Sequence, residues 1–302
     1  MGAQLVTESR ELDSGDAWAT LRRAHYWPLL KRGMERFRQA DGFSYSRAIG
    51  FQVVLASIPA LIFFVALAEW SANDTLKTSV ESVVGTLTPG PTSGLLQQAV
   101  DQGERNAQGN TMAMIAGGIA ALTAGAIGMN QFMLGASRMY GEDRNRPWLR
   151  RYIRAVLLAL SVGVLLAGAF VAIAFGSVIA DAVEGESVWV WLRWPLAAVG
   201  AALAIAALYK LAPNRNQPGV SWLTVGGITA TVLWVLFSGG LAGYLSLSST
   251  FGERYGALAG LIGLMVWAQL TGLAVLAGAA FSAQLEWERA ELAGNAGQEA
   301  DR

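Results

Sequence analysis

The stretch AIGFQVVLASIPALIFFVALA, residues 48–68, contains no formal charge in 21 positions and is bracketed by Arg47 and Glu69. A helix of that length covers roughly 30 Å, the thickness of a bilayer's hydrocarbon core. The same criterion finds five further stretches, at about 112–137, 155–180, 189–209, 220–247 and 257–283. The fourth is the shortest, because Arg193 and Lys210 leave only residues 194–209 uncharged between them. It requires residues 189–192 as well, with Arg193 reaching outward to the headgroups.

Composition agrees with these spans. Of 302 residues, 53% are apolar and 15% charged, against about 25% charged in soluble domains. The expected fold is therefore all-α: a polytopic membrane protein with six transmembrane helices. Residues 1–46 form an N-terminal arm, 47–285 the transmembrane domain and 286–302 a polar, acidic tail. The arm has no apolar signal-peptide core and is expected to stay attached. Within it, Lys31, Arg32, Arg36 and Arg38 alternate with Leu30, Met34 and Phe37 at a spacing that puts bases and apolar groups on different helix faces. That pattern predicts a basic interfacial helix, with an ordinary solvated helix as the alternative. The external loop 69–110 carries two helix-like pieces around the breaker Thr88-Pro89-Gly90-Pro91.

Lys and Arg are retained on the cytoplasmic side of short connections. Taking alternate segments from the N-terminus, one set holds 18 of these residues and the other 4. Both termini are thereby predicted to be cytoplasmic, a parity that an even number of spans satisfies. Seven of the eleven Trp, namely Trp70, Trp148, Trp189, Trp191, Trp194, Trp222 and Trp287, fall at predicted span ends, where indoles favour the headgroup region. The formal net charge of zero is thus a cancellation between an Arg-rich inner side and an acidic outer one.

Several chemistries are excluded. The chain has no Cys and a single His, His25, which removes thiolate sites and any site needing two imidazoles. His25 precedes Tyr26-Trp27-Pro28 and reads as an interfacial contact. A phosphate-binding loop of the Walker type needs a Gly-Lys pair, and none occurs. The glycine-rich run GALAGLIG, residues 256–263, sits inside an apolar span and reads as close helix packing, with Gly256 and Gly260 forming a small-x-x-x-small face as Gly239 and Gly243 do in the fifth span. Apart from Arg193, which reaches out to the headgroups, the spans as drawn contain no charged side chain, which argues against simple proton coupling. Glu142 and Asp143 beside Arg144 and Arg146 read as a solvated turn. No cofactor is expected.

Inside the spans the remaining polarity is uncharged. Gln52, Ser57 and Pro59 lie in the first span, Asn130 and Gln131 in the second, and Gln269, Thr271, Ser282 and Gln284 in or at the end of the sixth. These residues could line a pathway, or they could bond across helices at about 1 kcal/mol each. Pro59 removes the hydrogen bond to the Leu55 carbonyl and is expected to kink its helix.

Four stretches together resemble the YihY/BrkB family of bacterial inner-membrane proteins, formerly labelled ribonuclease BN. They are ERFRQADGFSYSRAIGFQVVLASIPALIFF (35–64), ASRMYG (136–141), LYKLAPNRNQPG (208–219) and ERYGALAGLIGLMVWAQLTGLAVLAGAAFSAQLE (253–286). The resemblance covers residues 30 to 290. It implies six transmembrane helices with both ends inside, a place in the cytoplasmic membrane and a role in envelope integrity, with movement of a lipid or lipopolysaccharide precursor as a further expectation. It transfers no active-site residue, and at Gly50-Phe51-Gln52 this chain departs from the aromatic and small residues expected there. The expected partners are membrane lipids, a lipid-type substrate and a second copy of the chain, without nucleic acid. The alternatives are a membrane-bound hydrolase, for which Arg144 to Arg154 with Trp148 and Tyr152 offer a basic and aromatic stretch, and a scaffold that docks through residues 70–110.

Overall fold

A computed structural model describes residues 5–6, 17, 19–22, 26–70, 111–142, 147–174, 186–215, 220–247 and 258–300. Among them the chain is all-helical, with no strand. The helices are α1 (Tyr26–Gln39), α2 (Gly42–Trp70), α3 (Thr111–Met139), α4 (Trp148–Ala174), α5 (Glu186–Leu211), α6 (Val220–Leu247) and α7 (Leu258–Ala300). Four of the described helices contain stretches long and apolar enough to cross a membrane: Gly42–Phe64, Met114–Met139, Thr224–Leu247 and Leu258–Glu291. In α5 the apolar stretch Val199–Leu211 is shorter. Most of the predicted external loop, residues 71–110, lies outside the described residues, as does His25.

Local chemistry sets the helix ends. Asp41 adopts a left-handed φ of 57°, a conformation that Asp tolerates better than most residues, and its carbonyl accepts the amides of Ser44 and Tyr45. One residue thereby ends α1 and starts α2. At the end of α3, Gly141 has φ 77°. Its amide bonds to Arg138 O and that of Glu142 to Ser137 O, the paired capping pattern that favours glycine at this position. Pro147 then precedes α4, its carbonyl accepting the Arg151 amide. Helix α4, which carries the predicted third span from residue 155, already starts at Trp148, because arginine supports a helix as well as leucine does.

Packing is organised around α7, which contacts α1, α2, α3 and α6. Residues 276–286 of this helix are buried on every face, as expected of a helix enclosed by others. Glycines permit the closest approaches. A Cβ at Gly50 of α2 would lie 2.7 Å from the backbone of Gln269, and one at Gly278 of α7 would lie 2.5 Å from Gly226 O of α6. Helices α2 and α3 are antiparallel: Tyr45 meets Gly135, Gln52 meets Gly128 and Phe63 meets Gly118.

Large apolar side chains cover the outside. Phe51, Leu55 and Ile58 on α2, Ile115 and Ile119 on α3, Leu157, Leu160 and Val164 on α4, Val199 and Leu203 on α5, and Val232, Val235 and Leu236 on α6 are all exposed, Leu236 by 63%. Apolar surface this extensive marks a membrane-facing or partner-facing exterior rather than a soluble one.

Candidate functional site

The predicted polar residues do not converge on one point. Ser57 donates to Val54 O at 2.7 Å, and Thr271 accepts the Trp234 indole N–H at 3.1 Å, so both are occupied by protein partners. Gln52 is half-buried and packs its Cβ against Gly128. Gln131 and Gln269 are half-buried too, and the Gln269 backbone is where Gly50 makes its close approach. Helix α2 runs on through Pro59, whose carbonyl lies opposite Gly117 on α3.

Asn130 differs from the rest. It is 4% exposed, and its Oδ1 has no hydrogen-bond partner. Ala126, Asn130, Met133 and Ser137 occupy one buried face of α3, with the spacing of a single helical stripe. Ser137 Oγ accepts the Asn214 amide at 3.0 Å, so this stripe is directed at the connection between α5 and α6. Asn130 thus places an unsatisfied carbonyl oxygen within the bundle, at a cost of about 1–3 kcal/mol.

Of the glycines predicted to pack, Gly256 lies outside the described residues and Gly260 is half-buried. A Cβ at Gly239 or Gly243 would have nothing within 4 Å. Gly239 shares a face with exposed Val232, Val235 and Leu236, which turns it outward. Within one chain the tight contacts fall instead to Gly50, Gly226, Gly272 and Gly278.

Charge is buried at one end of the bundle, where the predicted basic helix of the arm meets the start of the polar, acidic tail. Arg36, expected on a basic face, is 5% exposed. Its Nε donates to Gln284 Oε1 at 3.0 Å, and a terminal nitrogen donates to Met139 O at 3.1 Å. Gln284 in turn donates to Glu288 at 3.1 Å, which also pairs with Arg32. Arg215 pairs with Glu286 at 2.5 Å, the two side chains being 0% and 3% exposed. The Arg215 guanidinium also lies 4.6 Å from the Tyr140 ring centroid. Burial pushes the Arg36 guanidinium below its ordinary range, an effect that Tyr140 and Glu286 oppose, whereas the hydrogen bond to Glu288 raises that of Arg32. Helix α7 continues through the predicted tail as far as Ala300. Neither Glu286 nor Glu288 was a candidate from sequence. The available signal was the acidic pair at the end of a long apolar run, in a chain with several unassigned arginines.

Among the described residues no group of three His, Cys, Asp or Glu side chains could hold a metal ion. The arrangement is that of a polytopic helical membrane protein with an apolar exterior, uncharged polarity inside and ion pairs at one end. The model of the family named virulence factor BrkB matches residues 34–302, and the chain belongs to that family. A ribonuclease-like protein of Bacillus subtilis, YfkH, is 26% identical over 267 residues, covering 85% of this chain and 94% of the relative. A UPF0761 membrane protein of Halorhodospira halophila is 29% identical over 252 residues, 82% of this chain and 54% of the relative. Another, from Rhodospirillum centenum, is 26% identical over 278 residues, 87% and 59% respectively. The chain thus spans nearly all of the first relative and little over half of the other two. No solved structure matches it.

Proposed function

We propose that this protein crosses the cytoplasmic membrane six times, with both termini in the cytoplasm, and supports the envelope by moving a lipid or another amphiphile between leaflets. In this reading residues 1–46 are the cytoplasmic arm, 47–285 the membrane domain and 286–302 the cytoplasmic tail. Helices α4 and α5 are the two spans added to the four already long and apolar enough. The observation that carries the transport reading is Asn130, whose buried and unpartnered Oδ1 suits a hydroxyl or amine donor of a passing headgroup. Gln52, half-buried at the α2–α3 seam, supplies a second amide along that helix pair. An amphiphile needs an apolar flank for its chains and an uncharged polar track for its head, and both kinds of surface are present.

Purified protein in vesicles carrying headgroup-labelled fluorescent lipids tests this directly. Dithionite should bleach inner-leaflet label severalfold faster than in empty vesicles, and Asn130→Leu should remove most of the acceleration. No acceleration for glycolipid, zwitterionic or anionic probes would sink the transport reading.

A further inference from the structure

The ion pairs at the end of α7 join elements distant in sequence. Glu286 holds Arg215, in the connection between α5 and α6. Glu288 holds Arg32 of α1. Gln284, bonded to Glu288, accepts from Arg36, which also donates to the last residue of α3. A single helical turn thus fastens α1, the α5–α6 connection and the end of α3 to one post. Val6 joins the same assembly, its amide bonding to Tyr140 O and its carbonyl accepting from Arg215 at 3.5 Å.

Stability alone gives little reason to place charges here. Desolvation offsets most of the attraction in a buried pair, and apolar residues of similar volume often serve as well. What an ion pair has and an apolar contact lacks is a second favourable state: once parted, each charge regains water. The elements fastened to this turn of α7, namely α1, the α5–α6 connection and the last residue of α3, all meet it at one end of the bundle. On the same face of α7, one turn further in, is Ser282, which is buried and packed against Gly226, and whose Oγ has no hydrogen bond.

We propose that Arg215–Glu286 and Arg32–Glu288 form a latch that holds this end of the bundle shut, and that their parting exposes the α6–α7 seam at Ser282 to water. Its purpose as a gate rests on the transport reading, which places this end at the cytoplasm, but its opening can be measured without any lipid movement.

The chain has no Cys, so S282C introduces a single thiol and forfeits no hydrogen bond. In nanodiscs, a water-soluble maleimide should label it slowly beside the exposed control S44C. R215Q or E286Q should speed labelling of S282C by about tenfold or more, as expected when a local opening equilibrium loses a buried pair. Monodispersity on gel filtration checks that these variants fold. If they do not, R32Q, with a side chain 54% exposed in the native pair, is the variant to read, with an expected gain of about threefold, in keeping with a half-exposed pair. G50A, which strains the distant α2–α7 contact, should leave the rate unchanged. The latch is overturned if S282C reacts as fast as S44C in the otherwise native chain, if neither arm changes its rate, or if G50A accelerates it equally. Failure of lipid transport would leave these outcomes untouched.

Discussion

At the scale of single residues, glycines separate tight from loose parts of the bundle. A methyl group at Gly50 would stand 2.7 Å from backbone atoms of Gln269, which cannot swing aside as a side chain could, whereas one at Gly239 would meet nothing within 4 Å. Gly50→Ala is therefore expected to destabilise the protein by about 1–3 kcal/mol. Gly239→Ala should be neutral or stabilising by up to about 1 kcal/mol through helix propensity. Thermal unfolding in one detergent, followed by tryptophan fluorescence, compares the two; equal losses would contradict the packing described. The small-x-x-x-small spacing at Gly239 and Gly243 could not reveal this, because spacing says which residues share a face and not which way that face looks. Asn130 was legible as a polar residue in an apolar helix. Its lack of a partner was not, since that depends on what the neighbouring helices bring.

At the scale of elements, the turns that join helices depend on two left-handed residues. Gly141 at φ 77° sits in the cap of α3, and Gly141→Val should cost about 1–2 kcal/mol because a branched side chain clashes in that conformation. Asp41, at φ 57°, should accept Gly without loss. Chemical or thermal unfolding of both variants in detergent checks the pair, and an unperturbed Gly141→Val would show that the cap does not constrain α3. Helix positions were largely readable. The expected 220–247 coincides with α6, and 112–137 lies within α3. The reason is physical: charges resist burial in hydrocarbon, so uncharged runs delimit helices. Helix ends follow the rule less closely: α4 starts before its uncharged run and α7 continues past its own. Arginines at a membrane surface can stay helical, and Glu286 and Glu288 are buried against Arg215 and Arg32, two arginines remote in sequence.

For the whole molecule, the distribution of basic residues makes a sharp statement about sidedness. A reporter that works only in the cytoplasm should be inactive when fused after Pro89 and active when fused after Arg302. Activity at both positions, or at Pro89 alone, would reverse or break the six-span arrangement. The all-helical character and the presence of helices long and apolar enough to cross a membrane were readable from charge-free length alone. The central place of α7 was not, because its apolar run resembles those of the other spans, and only the packing of α1, α2, α3 and α6 against it reveals the difference.

That central helix is also made after every helix it packs against. At ~5–20 residues per second, the ribosome needs roughly 10–45 s to proceed from the end of α2 to the end of the buried part of α7. Throughout that interval α2 and α3 can pair with each other, but the groove that accepts α7 beside Gly50 stays unfilled. Assembly therefore waits for α7, and the early helices must be sheltered in the lipid or by the insertion machinery until it emerges. A message cut short before residue 258 would yield a product with its spans inserted and its hub missing, the kind of species that membrane proteolysis recognises.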